Sequence, residues 1–256
     1  MKNCSVTFCD KKISYYSIDI LEKTGIVKAF FTSNKNSEWK FGIEGALENF
    51  KKLSSEFSVP LENICTTYQT HTDQIRLMSK DNGGEGVLRE TALKDYDGII
   101  TSDKGLLLCS FEADCVPVYL LDVKKKVCGI VHSGWKGTLK QICKNAVEKM
   151  CADFESAPDD ITCVIGPCAC KNCYEVGPEL KEMFGQQFAP CFDPLRGGEK
   201  YLLDMARAIE LSLVDAGLNK DNIYNVDMCT IESRDLCSYR RTGSKTDHML
   251  TAIMLV

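Results

Sequence analysis

The stretch ADCVPVYLLDVKKKVCGIVHSGWKGT, residues 113–138, decides the fold. It holds two apolar runs, residues 116–123 and 127–132, separated by three adjacent lysines. Runs of this length, rich in Val, Leu and Ile, predict two strands, and the lysines between them predict a solvated hairpin turn. The glycines at 134 and 137 then mark the exit from the second strand into a helix.

The same criteria extend outward from this hairpin. They predict strands at residues 27–32, 63–67, 74–78, 96–101, 105–111, 161–165, 223–226 and 250–256, and helices at 45–57, 178–187 and 202–216 and after residue 138. Strands and helices alternate without a strict βαβ rhythm, which favours an α/β or α+β fold, a mixed β-sheet flanked by helices. There is no internal repeat and no Pro-, Gly- or Ser-rich linker, so residues 1–256 are expected to form a single domain.

Composition excludes several classes of protein. The chain has 256 residues, 44% hydrophobic and 26% charged, which are globular proportions. A formal net charge of −5 argues against a general nucleic-acid binder, because no basic excess exists to neutralise phosphates. No apolar run approaches the roughly 18 residues of a membrane span, and the N-terminus opens no signal-peptide run, so a cytoplasmic location without membrane association is expected.

The chain contains 15 cysteines and only 3 histidines. An odd number of cysteines without a secretion signal disfavours a complete disulfide framework. Most of them lie in apolar runs, where a free cysteine packs as a small hydrophobic side chain. We therefore expect most of these thiols to be reduced core residues.

Three residues at strand ends have the chemistry of a metal site. His71 and His132 each follow a predicted strand, and Cys115 follows a third apolar run. Such polar residues often converge at one edge of a sheet. Two histidines and a cysteine suit zinc, and three protein ligands leave a fourth position open, as in catalytic zinc sites. On spacing alone, a hydrogen-bonded structural role for each histidine remains the more common alternative, and it is the one expected for His248.

A second candidate is the cluster of Cys168, Cys170 and Cys173. Three thiols within six residues could hold zinc or an iron–sulfur cluster, but the latter usually requires four thiolates. A fourth would have to come from elsewhere in the chain, from Cys191, Cys229 or Cys237. The zinc-deaminase pattern, H-x-E followed by P-C-x-x-C, is not matched.

Five ordered motifs together resemble one known family. They are Gln69-Thr70-His71, Ala113-Asp114-Cys115-Val116-Pro117-Val118, His132-Ser133-Gly134-Trp135-Lys136-Gly137-Thr138, Ile165-Gly166-Pro167-Cys168 with Cys173-Tyr174-Glu175-Val176-Gly177, and Ser238-Tyr239-Arg240-Arg241. The set resembles the bacterial YfiH/YlmD family, also called the laccase-domain or polyphenol oxidoreductase family and described as purine nucleoside phosphorylases. The resemblance runs from about residue 26 to residue 256.

The resemblance implies a laccase-domain (YfiH-like) α/β fold with a zinc ion bound by His71, Cys115 and His132. It implies phosphorolysis of adenosine, inosine and methylthioadenosine to the base and ribose 1-phosphate or its methylthio derivative, with adenosine deamination as a further activity. The partners would be purine nucleosides and phosphate. It also places Cys168 in a structural loop, which weighs against the iron–sulfur alternative.

Further roles follow from residue chemistry. Arg240, and after it Arg241, is the candidate for binding phosphate, because a guanidinium forms bidentate contacts with oxyanions. Asp114 is expected to act as a general acid/base or, preferably, to orient a zinc-bound histidine. Trp135 could stack on a base or pack in the core. Where the family carries an arginine near the N-terminus, this chain has Asn34, and Lys35 is a candidate substitute.

Three alternatives stay open. The first is a copper-dependent, laccase-like oxidoreductase. A multicopper trinuclear centre, however, needs more histidines than this chain contains. A single copper with a methionine ligand would transfer only single electrons. The second is a non-catalytic binding module in which a fourth ligand closes the zinc site. The third is another hydrolytic or deaminating activity at the same open zinc.

Overall fold

The computed structural model describes the backbone of residues 1–256 and every side chain except that of Arg196. The strands are β1 (Lys2–Asn3), β2 (Val6–Asp10), β3 (Ser14–Ile18), β4 (Val27–Thr32), β5 (Ile64–Cys65), β6 (Ile75–Leu77), β7 (Gly98–Thr101), β8 (Leu107–Glu112), β9 (Val116–Asp122), β10 (Val127–Ser133), β11 (Ile161–Ile165), β12 (Glu175–Val176), β13 (Phe192–Leu195), β14 (Lys200–Leu203), β15 (Ile223–Asn225) and β16 (Met249–Leu255). The helices are α1 (Asp19–Glu22), α2 (Ala46–Phe57), α3 (Trp135–Leu139), α4 (Ile142–Phe154), α5 (Pro178–Phe184), α6 (Met205–Asp215) and α7 (Tyr239–Thr242).

The strands form two large mixed sheets and a small one. The first sheet has the order β1-β15-β11-β9-β10-β7-β6 and the second the order β2-β3-β4-β16-β8-β5. The small sheet, β12-β14-β13, is antiparallel. At the centre of the first sheet, β9 and β10 form the predicted hairpin, with Val127 opposite Asp122 and Ser133 opposite Val116.

Alternation along the strands divides the buried residues among three cores, as expected for sheets covered on both faces. On β10, Val127 and Val131 face α4 and α6, whereas Cys128 and Ile130 face the second sheet. On β16 the even-numbered residues from Leu250 pack towards α2, and the odd-numbered ones face the first sheet. The layers therefore run helix, sheet, sheet, helix, which agrees with the predicted class and adds a second large sheet.

Two differences from the sequence predictions have local causes. The predicted helix at 202–216 begins later, at Met205, because Leu203 is still in β14 and the Asp204 carboxylate accepts the Arg207 backbone N–H as the helix cap. The N-terminal strands β1, β2 and β3 were not predicted, because their sequences show no clean alternation; β1 and β2 are largely exposed, whereas β3 is buried or half-buried. Within the described chain, no helix combines the length and apolar composition required to cross a bilayer.

Candidate metal centre and active site

The two large sheets bring three metal-binding side chains together. His132 lies near the end of β10, Cys115 lies in the turn from β8 to β9, and His71 lies in the loop before β6. One donor atom from each falls within 4.8 Å of the other two. The His71 Nε2 to Cys115 Sγ distance is 3.8 Å, and the two imidazole centroids are 4.9 Å apart. All three residues predicted as ligands therefore converge.

The buried carboxylate of Asp97, the residue immediately before β7, organises this site. It accepts the Nδ1–H of His132 at 2.8 Å and the backbone N–H groups of Thr70, His71 and Thr72 at 3.2, 3.0 and 2.7 Å. It also accepts the Thr72 hydroxyl at 2.8 Å. One side chain thus fixes both the loop that carries His71 and the ring of His132. The Nε2 of His132 is left free to bind a metal ion.

Electrostatics in this group follow from that arrangement. Burial would raise the pKa of Asp97, but the bonds from His132 and Thr72 outweigh it and lower the pKa to about 2. Burial would lower the pKa of His132, but the charges of Glu112 and Cys115 and the bond to Asp97 raise it well above its usual value. The carboxylate of Asp97 is therefore ionised across the ordinary pH range.

Backbone geometry keeps the space between the donors clear. His71 has φ of 63°, a left-handed conformation that is uncommon outside glycine and asparagine and is held here by the bonds to Asp97. A Cβ added to Gly134 would lie 2.7 Å from His71 Cδ2 and 3.0 Å from Cys115 Sγ. The backbone that follows β10 passes so close to both side chains that residue 134 must be glycine.

Glu112 is a site residue that the sequence analysis did not identify. Its side chain is fully buried, and Oε2 lies 3.5 Å from His132 Nε2 but has no hydrogen-bond partner among the described side chains. Oε1 accepts the Ser110 hydroxyl at 2.7 Å. Burial raises the pKa of Glu112 to about 7. The signal available in the sequence was a lone acidic residue at the end of an apolar strand.

Two lysines contribute positive charge at this group. Burial and the neighbouring His132 lower the pKa of His71, and Lys136 and Lys40 lower it further. Lys40, which the sequence analysis did not single out, also acts on Glu112. The site therefore combines a donor triad with two nearby ammonium groups.

Asp114 and the two arginines form one wall of the site. The Asp114 carboxylate accepts the Thr230 hydroxyl at 2.6 Å and the Arg240 backbone N–H at 2.7 Å. The orienting bond to a histidine, which we expected from Asp114, comes from Asp97 instead, because the φ of 85° at Asp114 turns its side chain towards α7. Asp114 thus positions Arg240.

The two arginines differ in what they contact. The Arg240 guanidinium lies 5.0 Å from the Tyr174 ring centre, and its Nη1 donates to the Glu175 carbonyl at 3.1 Å. Arg241 directs its guanidinium at backbone carbonyls of residues 230, 231, 233 and 236. Arg240 retains free donors at the surface, whereas Arg241 is engaged in the loop.

The remaining candidates lie outside the triad. The Asn34 side chain donates to the Arg234 carbonyl at 2.6 Å, and the Lys35 ammonium pairs with Asp10 at 3.1 Å. Trp135 is partly buried against the core of the first sheet. The Nδ1 of His248 is 2.9 Å from the Thr246 carbonyl. Lys35 is thus directed at Asp10, and the ammonium groups near the triad belong to other lysines.

The chain is similar to several known proteins. The family model described as multi-copper polyphenol oxidoreductase laccase matches residues 34–256. The Bacillus subtilis protein named purine nucleoside phosphorylase YlmD is 32% identical over 213 residues, 81% of this chain and 76% of that protein. A Clostridium acetobutylicum protein, purine nucleoside phosphorylase CA_C1699, is 32% identical over 247 residues, 95% of this chain and 98% of that protein.

Two further similarities bear on fold and activity. The crystal structure of the Bacillus licheniformis hypothetical protein YfiH superposes with a TM-score of 0.88 at 29% identity, covering 97% of this chain and 99% of that one. A protein from an unknown prokaryotic organism, named adenosine deaminase RL5, is 30% identical over 208 residues, 78% of each chain. The predicted YfiH-like fold is confirmed by these matches.

Proposed function

Because the chain belongs to the multi-copper polyphenol oxidoreductase laccase family, in which similar proteins carry the name purine nucleoside phosphorylase, we propose that it is a purine nucleoside phosphorylase. It cleaves adenosine, inosine and methylthioadenosine with phosphate, releasing the base and ribose 1-phosphate or methylthioribose 1-phosphate. The observation that carries the proposal is the convergence of His71, Cys115 and His132, and the charges of Lys40 and Lys136 act on this group.

The donor set fits a catalytic zinc ion. Two imidazoles and a thiolate are ligands that zinc prefers, and the group of described side chains contains three donors and no fourth cysteine. The missing Cβ of Gly134 leaves room between His71 and Cys115. When bound, zinc supplies a Lewis acid that orients an oxygen and withdraws charge from it. Copper is disfavoured as the basis of oxidase chemistry, because the chain has only three histidines in all.

The chain's own groups account for the rest of the reaction. Arg240 binds phosphate with its free guanidinium donors, and Lys40 and Lys136 add positive charge that attracts the anion. Asp114 holds the backbone of Arg240 in position. Asp97 fixes the tautomer of His132 by accepting its Nδ1–H. Glu112, whose Oε2 lies 3.5 Å from His132 Nε2 and has no hydrogen-bond partner among the described side chains, is the candidate for a proton-transfer group beside the zinc ligands.

The test is chromatography of metal-analysed protein incubated with adenosine, with and without phosphate. The proposal expects adenine and ribose 1-phosphate, formed only when phosphate is present. His71→Ala and Cys115→Ser should abolish turnover and lose the bound zinc. Cys9→Ser, on the exposed strand β2, is the matched control and should retain both.

Two results contradict the proposal. No turnover of any purine nucleoside by zinc-loaded protein would favour a binding role, the non-catalytic alternative. Full activity and metal content in both variants would place the reaction elsewhere in the molecule.

Deamination of adenosine is the second candidate, favoured by the relative named adenosine deaminase. It would appear in the same assay as inosine formed without phosphate. The single-domain organisation over residues 1–256 and the cytoplasmic location stay predictions.

A further inference from the structure

A second group of metal-binding side chains lies in two loops next to the wall of the candidate active site. The first loop contains Cys170-Lys171-Asn172-Cys173, and the second, 59 residues further on, contains Cys229-Thr230-Ile231-Glu232. Backbone hydrogen bonds join the loops, from Cys168 N–H to the Met228 carbonyl at 3.2 Å and from Thr230 N–H to the Cys168 carbonyl at 3.0 Å. The pairing brings a C-x-x-C segment against a C-x-x-E segment.

The four donors have the spacing of ligands around one ion. The three thiol sulfurs and a Glu232 carboxylate oxygen lie within 4.8 Å of one another, with Cys173 Sγ to Glu232 Oε1 at 3.4 Å. A tetrahedral site with zinc–sulfur bonds of about 2.3 Å has sulfurs about 3.8 Å apart. The donors are therefore already close to the required separation.

Backbone N–H groups point at two of these sulfurs. The Cys170 N–H points at Cys229 Sγ at 3.5 Å, and the N–H groups of Ile231 and Glu232 also donate to this sulfur. The Asn172 N–H donates to the sulfur of Cys170. N–H groups aimed at sulfur stabilise a thiolate, the form that binds metal.

The buried cysteines of the core have a different environment. Cys109 and Cys163 are fully buried in apolar strands, whereas Cys170, Cys173 and Cys229 are half-buried in loops. Cys168, the remaining cysteine of the Cys168–Cys170–Cys173 cluster, is likewise buried in the core of the first sheet and is not part of the four-donor group. The two loops thus separate thiols suited to a metal from thiols that fill space.

We propose that Cys170, Cys173, Cys229 and Glu232 bind a zinc ion at a structural site, separate from the candidate active site. Three thiolates and one carboxylate complete a closed tetrahedral shell, which is typical of structural rather than catalytic zinc. Iron–sulfur clusters usually take four thiolates, and calcium and magnesium prefer shells made only of oxygen. Binding releases the three thiol protons to solvent and changes no oxidation state.

The ion would hold the wall of the candidate active site. Thr230 lies between two of its ligands and donates its hydroxyl to Asp114, which in turn holds Arg240. The Arg241 guanidinium donates hydrogen bonds to the Thr230 and Ile231 carbonyls of the same loop. The proposed site therefore fixes the loop on which the position of Arg240 depends.

The experiment measures zinc and iron per chain by mass spectrometry of the full chain, purified without chelators. The unaltered protein should hold about two zinc ions, one at each site, and Cys173→Ser and Glu232→Gln should each lower this to about one. Cys151→Ser, a half-buried cysteine outside both groups, is the matched control and should leave the metal content unchanged.

A complementary variant tests the site without altering it. His71→Ala/His132→Ala removes two ligands of the other group and should still retain about one zinc ion. Its cobalt-substituted form should show intense thiolate-to-metal absorption, and adding Cys173→Ser should weaken that absorption.

Absence of zinc from the double histidine variant overturns the proposal, even if Cys173→Ser fails to fold. Iron with inorganic sulfide overturns the zinc assignment. A disulfide between Cys170 and Cys173 in freshly purified protein overturns it as well, since oxidised sulfur cannot provide the thiolates.

Discussion

Replacing Asp97 with asparagine tests how the candidate active site is built. The carboxylate accepts five hydrogen bonds, three on Oδ2 and two on Oδ1. An asparagine carbonyl can serve the three donors of Thr70 and Thr72, but its NH₂ group then faces the His71 N–H and the His132 ring. To avoid that clash His132 must move its proton to Nε2, the nitrogen that the metal requires.

The magnitude follows from the bonds lost. Two hydrogen bonds to a charged acceptor are worth ~1.5–3 kcal/mol each, so the free energy of unfolding should fall by about 3–6 kcal/mol. Zinc affinity should fall ~10–100-fold, the usual effect of removing a carboxylate that orients a metal-bound histidine. Asp97→Glu keeps the charge but displaces it, and should show an intermediate loss.

Chemical denaturation of metal-free protein measures the first effect, and zinc competition with a coloured chelator measures the second. Asp95→Asn is the matched control, because that exposed carboxylate bonds only the Thr70 hydroxyl through its side chain, and it should change both quantities little. If Asp97→Asn unfolds at the same denaturant concentration as the unaltered protein and binds zinc equally well, the reasoning about Asp97 is refuted.

Three further predictions concern neighbouring residues. In metal-free protein, burial raises the pKa of Glu112 from 4.5 to about 7, so the folded state holds an extra proton between these pH values. The free energy of unfolding should therefore fall as the pH rises through that window. Relative to the unaltered protein, Glu112→Gln should gain about 3 kcal/mol of stability between about pH 5 and 8, as measured by denaturation at both pH values. A gap independent of pH would contradict this. Gly134→Ala should reduce zinc content and turnover, because its Cβ meets the His71 ring and the Cys115 sulfur. Gly105→Ala is strained by its φ of 74° but has open space around the added Cβ, so it should lose some stability and retain its metal. Arg240→Met should raise the KM for phosphate about tenfold or more, while Arg241→Met should instead lower the free energy of unfolding by ~1–3 kcal/mol. Steady-state kinetics measures the first effect and thermal melting the second. Equal effects of both substitutions would refute the division of roles.

The parts of the fold with strong local patterns were predictable. β4 and β11 have the bounds that their apolar runs predicted, and the β9–β10 hairpin forms around the three lysines. Each of these strands is fully or largely buried, so its sequence reports burial directly. The division into two packed sheets was not predictable, because residues 96–101 and 105–111 look alike in sequence although β7 and β8 enter different sheets.

The site shows the same contrast between local and long-range information. His71, Cys115 and His132 were identified through motifs, and the structure brings them together. Asp97 follows an ordinary tyrosine and precedes a glycine, so nothing local distinguishes it from any aspartate at a strand end.

The second group of donors depends still more on distant pairing. Cys229 was one of three candidates to complete the cysteine cluster, and the sequence could not choose among them. The choice is made by the backbone bridge between Cys168 and Cys229. Glu232 was not considered at all, because a single exposed glutamate carries no signal until the loop that bears it is placed.

The position of β16 bears on how the chain folds during synthesis. Residues 249–255 form a strand inside the second sheet, paired with β4 on one side and β8 on the other. Until these residues leave the ribosome, both neighbouring strands present unpaired edges, which are templates for aggregation. The second sheet can therefore close only after residue 255 has left the ribosome, and the nascent chain must be kept from associating until then.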